Sequence, residues 1–175
     1  VTSAYKWYGP HGSAMWLADE LRDELVPYKV RPAPDAGPER WQLGTPAYEN
    51  LAGMDAAARL LLEVGMDSVA DRERVVFDRL LTGLAARPEV SVWGPADLAD
   101  RAPTLSFTLR GVHPDDVARA LAAERIAVWS GHYYAVEVMD SLGLAASGGA
   151  VRAGVSCYTS DDDVDRLLDA VSRLA

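Results

Sequence analysis

Cysteine is almost missing from this chain. Cys157 is the one thiol in 175 residues, so no internal disulfide can form and a cysteine-rich metal site is excluded. Lysine is nearly as scarce, with Lys6 and Lys29 standing against fifteen arginines. No run of about 18 apolar residues occurs, and no basic-then-apolar leader opens the chain. With no spanning helix and no secretory signal in view, the expectation is a soluble cytoplasmic protein in a reducing compartment. Positive charge is short as well: 17 Lys and Arg against 26 Asp and Glu leave a formal net charge of −9. Phosphate backbones and anionic membrane surfaces are held by clustered cations, so neither nucleic acid nor membrane is an expected partner. Internal repeats and low-complexity segments are absent too.

Apolar residues make up 49% of the sequence, enough to bury the core of one domain and part of another. Residues 1 to 18 mix glycine with aromatic and apolar residues, as at the end of a buried strand, a ligand loop and a return strand. Asp19 to Leu25 is charged and amphipathic. Val26 to Pro46 then carries Pro27, Pro32, Pro34, Pro38 and Pro46, which forbid regular helix or central strand and predict a long connecting loop. Ala47 to Val64 reads as helix, with Gly65 as its stop. Asp67 or Ser68 can cap a second helix whose buried stripe is Val69, Val76, Phe77, Leu80, Leu81 and Leu84. After Pro88, strands are predicted at Val90 to Trp93, Leu105 to Leu109, Ala127 to Trp129 and Val151 to Val155. A helix starts at His113-Pro114-Asp115-Asp116, and a last one follows Ser160 with Val164, Leu167, Leu168, Val171 and Leu174 on one face. The carboxylates of Asp161 to Asp163 sit where a helix dipole favours them, and without partner ligands they predict no metal site. The pattern describes a two-layer α/β unit with a short mixed or antiparallel sheet and helices packed on one side.

Three segments carry chemistry. Lys6 lies in Ser3-Ala4-Tyr5-Lys6-Trp7-Tyr8-Gly9-Pro10-His11-Gly12. A lysine amine that is partly unprotonated can form a Schiff base with a carbonyl. Ser3 and Tyr5 are hydroxyl donors suited to a phosphate, and Gly9 and Gly12 would let the chain turn closely around a ligand. Taken singly, Lys6 reads more readily as a solvated surface lysine. Arg40-Trp41-Gln42-Leu43-Gly44-Thr45-Pro46 combines a threonine hydroxyl with a glycine N–H, both able to donate to an anion, although Thr45 could also cap a helix. In Ala150-Val151-Arg152-Ala153-Gly154-Val155-Ser156-Cys157-Tyr158, Arg152 offers a planar fork of donors that fits a carboxylate. It could also be an ordinary edge-strand arginine.

Together, and in this order, the segments resemble class V pyridoxal-phosphate aminotransferases, the family that includes the cysteine desulfurases. The resemblance covers essentially the whole chain but only the family's C-terminal part. It implies a fold type I PLP-dependent transferase: residues 1–46 as the tail of the large cofactor domain with a connecting loop, 47–87 as linking helices and 88–175 as a small α/β domain. The cofactor implied is pyridoxal 5'-phosphate, bound covalently by Lys6, with Ser3, Tyr5, Gly44 and Thr45 around its phosphate. In the family the Gly-Thr pair reaches the neighbouring subunit's cofactor, so a homodimer with shared active sites is implied. Arg152 would clamp the carboxylate of a small amino-acid substrate, with His132 and Tyr134 lining the site.

The chain departs from the family pattern in three places. Tyr5 stands where histidine is usual, and Gln42 where glutamate is common. Ser130-Gly131-His132-Tyr133-Tyr134-Ala135 is similar to the family's Gly-His-His-Cys-Ala loop, with Tyr134 in place of the sulfur-accepting cysteine. A persulfide cannot form on Tyr134. The expectation is therefore a desulfurase-like lyase or an aminotransferase. Because the chain begins at Val1 and runs straight into a motif, upstream sequence is expected to precede it, and the fragment alone is expected to be inactive. A non-catalytic α/β dimerisation or regulatory domain is the alternative. Cys157 reads as a core thiol more readily than as a nucleophile.

Overall fold

In the computed structural model, which describes residues 1–175 apart from Leu43 and Asp100, the chain divides into two units, Val1–Met66 and Asp67–Ala175.

The first unit begins with a two-stranded antiparallel ribbon, β1 (Thr2–Ser3) against β2 (Ser13–Ala14), with a 3-10 turn at Ala4–Trp7 between them. Only Ala4 is buried in that stretch, so the ribbon is more exposed than a buried strand end would be. Helix α1 (Asp19–Glu24) follows. The proline-rich stretch contains one short 3-10 turn, Pro38–Trp41, as expected where prolines remove donors at irregular intervals. Helix α2 (Tyr48–Val64) ends on Gly65 at φ 84°, a conformation that costs glycine little. Its N-cap is Ala47 with no side-chain cap, so Thr45 does not cap it. Met54 and Ala57 are the buried residues of α2, while Trp16, Val26, Tyr28 and Leu62 are each at least 80% exposed.

The second unit runs α3 (Met66–Ala85), β3 (Val90–Trp93), β4 (Thr104–Leu109), α4 (Pro114–Ala123), β5 (Trp129–Gly131), α5 (Val136–Ser141), β6 (Ala150–Gly154) and α6 (Asp161–Arg173). Its sheet has the order β3-β4-β6-β5, and every neighbouring pair is antiparallel. All six stripe residues expected on α3 are buried. Several boundaries differ from the sequence reading: β4 and β6 each begin one residue early, and β6 ends at Gly154. Helix α3 starts at Met66, ahead of the anticipated cap, and the strand expected at 127–129 is β5 at Trp129–Gly131. The shift follows the ladder, because Trp129, Ser130 and Gly131 pair with Arg152, Val151 and Ala150. The six-residue α5 was not anticipated; its one buried residue, Met139, is too little for a periodic signal.

The two faces of this sheet differ because side chains alternate along each strand. Val90 and Val92, then Leu105, Phe107 and Leu109, then Val151 and Ala153 point to one face, where α3, α4 and α6 cover them in a single apolar core. The other face presents Trp93, Ser106, Arg152 and Trp129, which are successive register partners across all four strands. Beside this row, Met139, Leu144 and Ala150 form a small second cluster against which Trp93 and Tyr133 pack.

Candidate active site

Lys6 sits on the 3-10 turn of the first unit, exposed, with its Nζ 5.7 Å from the Tyr5 ring centroid. Among the described residues its amine has no ion-pair or hydrogen-bond partner. Lys29 is engaged: its Nζ lies 2.7 Å from Asp35 Oδ1 and donates to the Ala33 carbonyl at 2.8 Å, and the side chain is 15% exposed. The turn is pinned by its backbone, since Ala4 N–H donates to the Gly12 carbonyl at 2.8 Å and Gly9 N–H to the Ala4 carbonyl at 2.9 Å. Tyr8, at φ 71°, reverses the chain after it. Ser3 is half-buried on β1, and the exposed Tyr5 ring lies 5.3 Å from that of His11.

The nearby glycines have a packing role. A Cβ on Gly9 would lie 2.9 Å from Ala4 Cβ, and one on Gly12 would lie 2.8 Å from Met54 Sδ. They permit close approach to this chain's own atoms, which differs from the expectation that they turn around a ligand. Asn50 ties the same loop to α2 by donating to the His11 carbonyl at 3.0 Å.

Gly44 and Thr45 are exposed, and a Cβ on Gly44 would meet nothing within 4 Å. With His11, Gly12, Asn50 and Met54 they line an open concavity of about 380 Å³. Leu43, in the same segment, lies outside the described residues.

In the second unit Arg152 is half-buried on β6, an interior strand of the sheet, so it is not the edge-strand arginine that sequence left open. Its guanidinium carbon is 5.1 Å from the ring centroid of Trp129 and 5.1 Å from that of Tyr133. Among the described residues its N–H groups have no carboxylate or carbonyl partner. Guanidinium nitrogens donate strongly and do not accept, so they are available to an anion. The Tyr133 hydroxyl is 2.6 Å from Ser106 Oγ, and Trp93 Nε1 donates to Thr108 Oγ1 at 3.1 Å on the same face. Sequence reasoning singled out neither Trp129 nor Tyr133, because their approach to Arg152 depends on strand register and loop path.

The loop between β5 and α5 places its residues differently from one another. Gly131 has φ 93°, and Tyr133 and Tyr134 are left-handed at φ 33° and 65°. Tyr133 turns back onto the sheet, while Tyr134 is 88% exposed. His132 is exposed, and its Nδ1 accepts from the Tyr134 N–H at 3.2 Å. Cys157 lies in the turn between β6 and α6, half-buried, and its backbone donates to the Glu73 carboxylate of α3. Burial pushes Glu73 above the usual carboxylate value, and the bond from Cys157 opposes that rise. Among the described residues no cluster of metal-ligating side chains occurs, and Asp161 to Asp163 serve the start of α6.

The family model for class V aminotransferases matches residues 1–167. The chain is 31% identical over 185 residues to a probable cysteine desulfurase of Mycobacterium leprae, a match covering 98% of this chain and 43% of that relative. A probable cysteine desulfurase of Pyrococcus abyssi is 33% identical over 151 residues, covering 86% of this chain and 36% of the relative. Among solved structures, the apo cysteine desulfurase of Thermococcus onnurineus NA1 superimposes with a TM-score of 0.82 at 30% identity, over 91% of this chain and 42% of that one. The cysteine desulfurase CsdA of Escherichia coli gives 0.80 at 26% identity, over 98% and 44%. The chain thus spans less than half the length of these relatives, and its fold is that of part of a fold type I enzyme. Taken with the lysine turn and the arginine-bearing strand, these matches show that the chain belongs to the class V aminotransferase family, whose cofactor is pyridoxal 5'-phosphate.

Proposed function

We propose that this chain is the C-terminal portion of a cytoplasmic, homodimeric pyridoxal-phosphate enzyme that acts on an amino acid, as a cysteine desulfurase-like lyase or an aminotransferase. The observation that carries the reading is the contrast between the two lysines: Lys29 is held by Asp35 and Ala33, whereas Lys6 presents an unengaged amine on a rigid turn. The local donors fit a phosphorylated aldehyde. An amine is available for covalent attachment, and hydroxyls of Ser3 and Tyr5 belong to the same turn. Gly44 and Thr45, open and exposed, suit a phosphate contributed from a second subunit.

Bound there, the cofactor would supply an electron sink for negative charge at the substrate Cα. The chain's own part is positional and proton-moving. Lys6 Nζ would hold the aldehyde and, once the substrate amine has displaced it, would be free to take the Cα proton. Arg152 would receive the substrate carboxylate through two parallel N–H donors, fixing the orientation of that carboxylate. His132 and Tyr134 belong to the loop beside that clamp. Tyr134 has no sulfur with which to accept a sulfur atom, so the chemistry proposed does not pass sulfur through this loop. Because the relatives are more than twice as long, the 175 residues alone are expected to be inert.

The test is spectroscopic. The intact polypeptide loaded with pyridoxal phosphate is expected to absorb in the near-visible, and borohydride reduction followed by peptide mapping should place the label on Lys6. Lys6→Ala should abolish both signals. A colourless protein, or a label on Lys29, overturns the assignment.

A further inference from the structure

We propose that Tyr133 and Trp129 are positioning residues that hold the Arg152 guanidinium ready for a carboxylate, an inference that rests on the reading of Arg152 as the substrate clamp. The guanidinium carbon is equidistant, at 5.1 Å, from the two ring centroids. Aromatic faces attract the cation without supplying a hydrogen-bond acceptor. A carboxylate neighbour would neutralise the arginine and compete with the ligand, and among the described residues none is within ion-pairing distance. The clamp is therefore restrained by its neighbours while its donors stay unspent.

The restraint is itself anchored. Trp129 is the direct register partner of Arg152 across β5 and β6, so backbone pairing fixes its place. Ser106 is the register partner on the opposite side, in β4, and its hydroxyl bonds Tyr133 at 2.6 Å. The Tyr133 ring also packs against the Met139, Leu144 and Ala150 cluster. Tyr133 keeps φ at 33°, a left-handed conformation uncommon for a non-glycine residue. The hydroxyl bond, the apolar cluster and the guanidinium surround its side chain there. The adjacent Tyr134 shares the left-handed backbone but is 88% exposed and reaches none of them.

The experiment uses the intact cofactor-loaded protein and two probes that share an amine and a thiol but differ in the carboxylate, L-cysteine and cysteamine. Their apparent dissociation constants are read from the change in cofactor absorption. Tyr133→Ala and Trp129→Ala should each weaken L-cysteine by about tenfold and leave cysteamine unchanged, as expected if a cation–π restraint on the clamp is lost. Tyr133→Phe and Trp129→Phe, which keep a ring, should retain most of the preference. Arg152→Gln is the reference. If it loses the preference for L-cysteine while both alanine variants keep it, the positioning role is wrong and the clamp stands. If Arg152→Gln keeps the preference, clamp and positioning role fall together. Trp129 is 51% exposed, so its replacement tests the idea even where Tyr133→Ala costs the fold. The cofactor spectrum before probe addition should be the same in all these variants, which a general structural defect would not leave intact.

Discussion

Gly149 leaves no room for a side chain: a Cβ there would lie 2.3 Å from the Gly131 carbonyl oxygen, and its φ is 85°. The close approach holds the end of β5, from which the 132–135 loop departs. Gly149→Ala is expected to destabilise the second unit by at least about 1 kcal/mol, as alanine does at a positive-φ position, with added strain from the backbone contact. Urea unfolding of the variant beside the parent checks this, and an unchanged midpoint would refute it. At this scale the sequence reveals residues whose chemistry is tied to type. Lys6 stands out because lysine is rare, and Arg152 because a guanidinium suits a carboxylate. Trp129 and Tyr133 do not stand out, because nothing local says that a strand partner and a loop tyrosine will converge on one guanidinium. Gly9 and Gly12 were legible as glycines that matter, but their reason is contact with Ala4 and Met54.

Among the elements, α6 is the one its sequence specifies most completely. Ser160 Oγ accepts from Asp163 N–H at 3.1 Å, and the Asp163 carboxylate accepts in return from Ser160 N–H at 3.0 Å. Ser160→Ala should cost about 1 kcal/mol, the usual value of an N-cap, measurable by urea unfolding. The bonds from the Ser160 hydroxyl and N–H hold Asp163 below the ordinary carboxylate value, and Arg79 does the same for Asp165. A carboxyl lowered in the folded state stabilises above its unfolded pKa, about 3.9, and loses that contribution as pH falls through the lower folded value. Asp163→Asn should therefore flatten the acid limb of a plot of unfolding midpoint against pH, and a limb of unaltered slope would count against the linkage. Both carboxylates face solvent, so the effect is small. Periodicity made α3 and α6 readable, since each has a long apolar stripe. Helix α5 was not readable with six residues, and β5 was displaced because register with β6, rather than β-branched composition at 127–129, decides where pairing begins.

For the molecule as a whole, the acidic balance spreads over both signs, with exposed pairs such as Arg79–Asp165 at 2.6 Å and Arg59–Asp55 at 2.8 Å that are worth little individually. The first unit exposes Trp16, Val26, Tyr28 and Leu62, more large apolar surface than an isolated unit usually leaves to water. That surface agrees with a chain that works with further protein around it. Size-exclusion with light scattering on the intact polypeptide is expected to return a dimer, and Thr45→Ala is expected to weaken cofactor retention without dissociating it. A monomer with full cofactor absorption would rule out shared pockets. Overall class and the order of strands and helices were legible here because patterning is local. How Arg152 meets its neighbours was not, because that is settled by the pairing of β6 with β4 and β5, which sets Ser106 and Trp129 on either side of it.

The division of the sheet into a sealed side and an open side has a consequence for descent. Phe107 and Val151 cannot drift without loosening the core, but Trp93, Ser106 and Trp129, one residue along each strand, project the other way. A lineage can therefore vary the open side at alternate codons while the scaffold beneath stays the same.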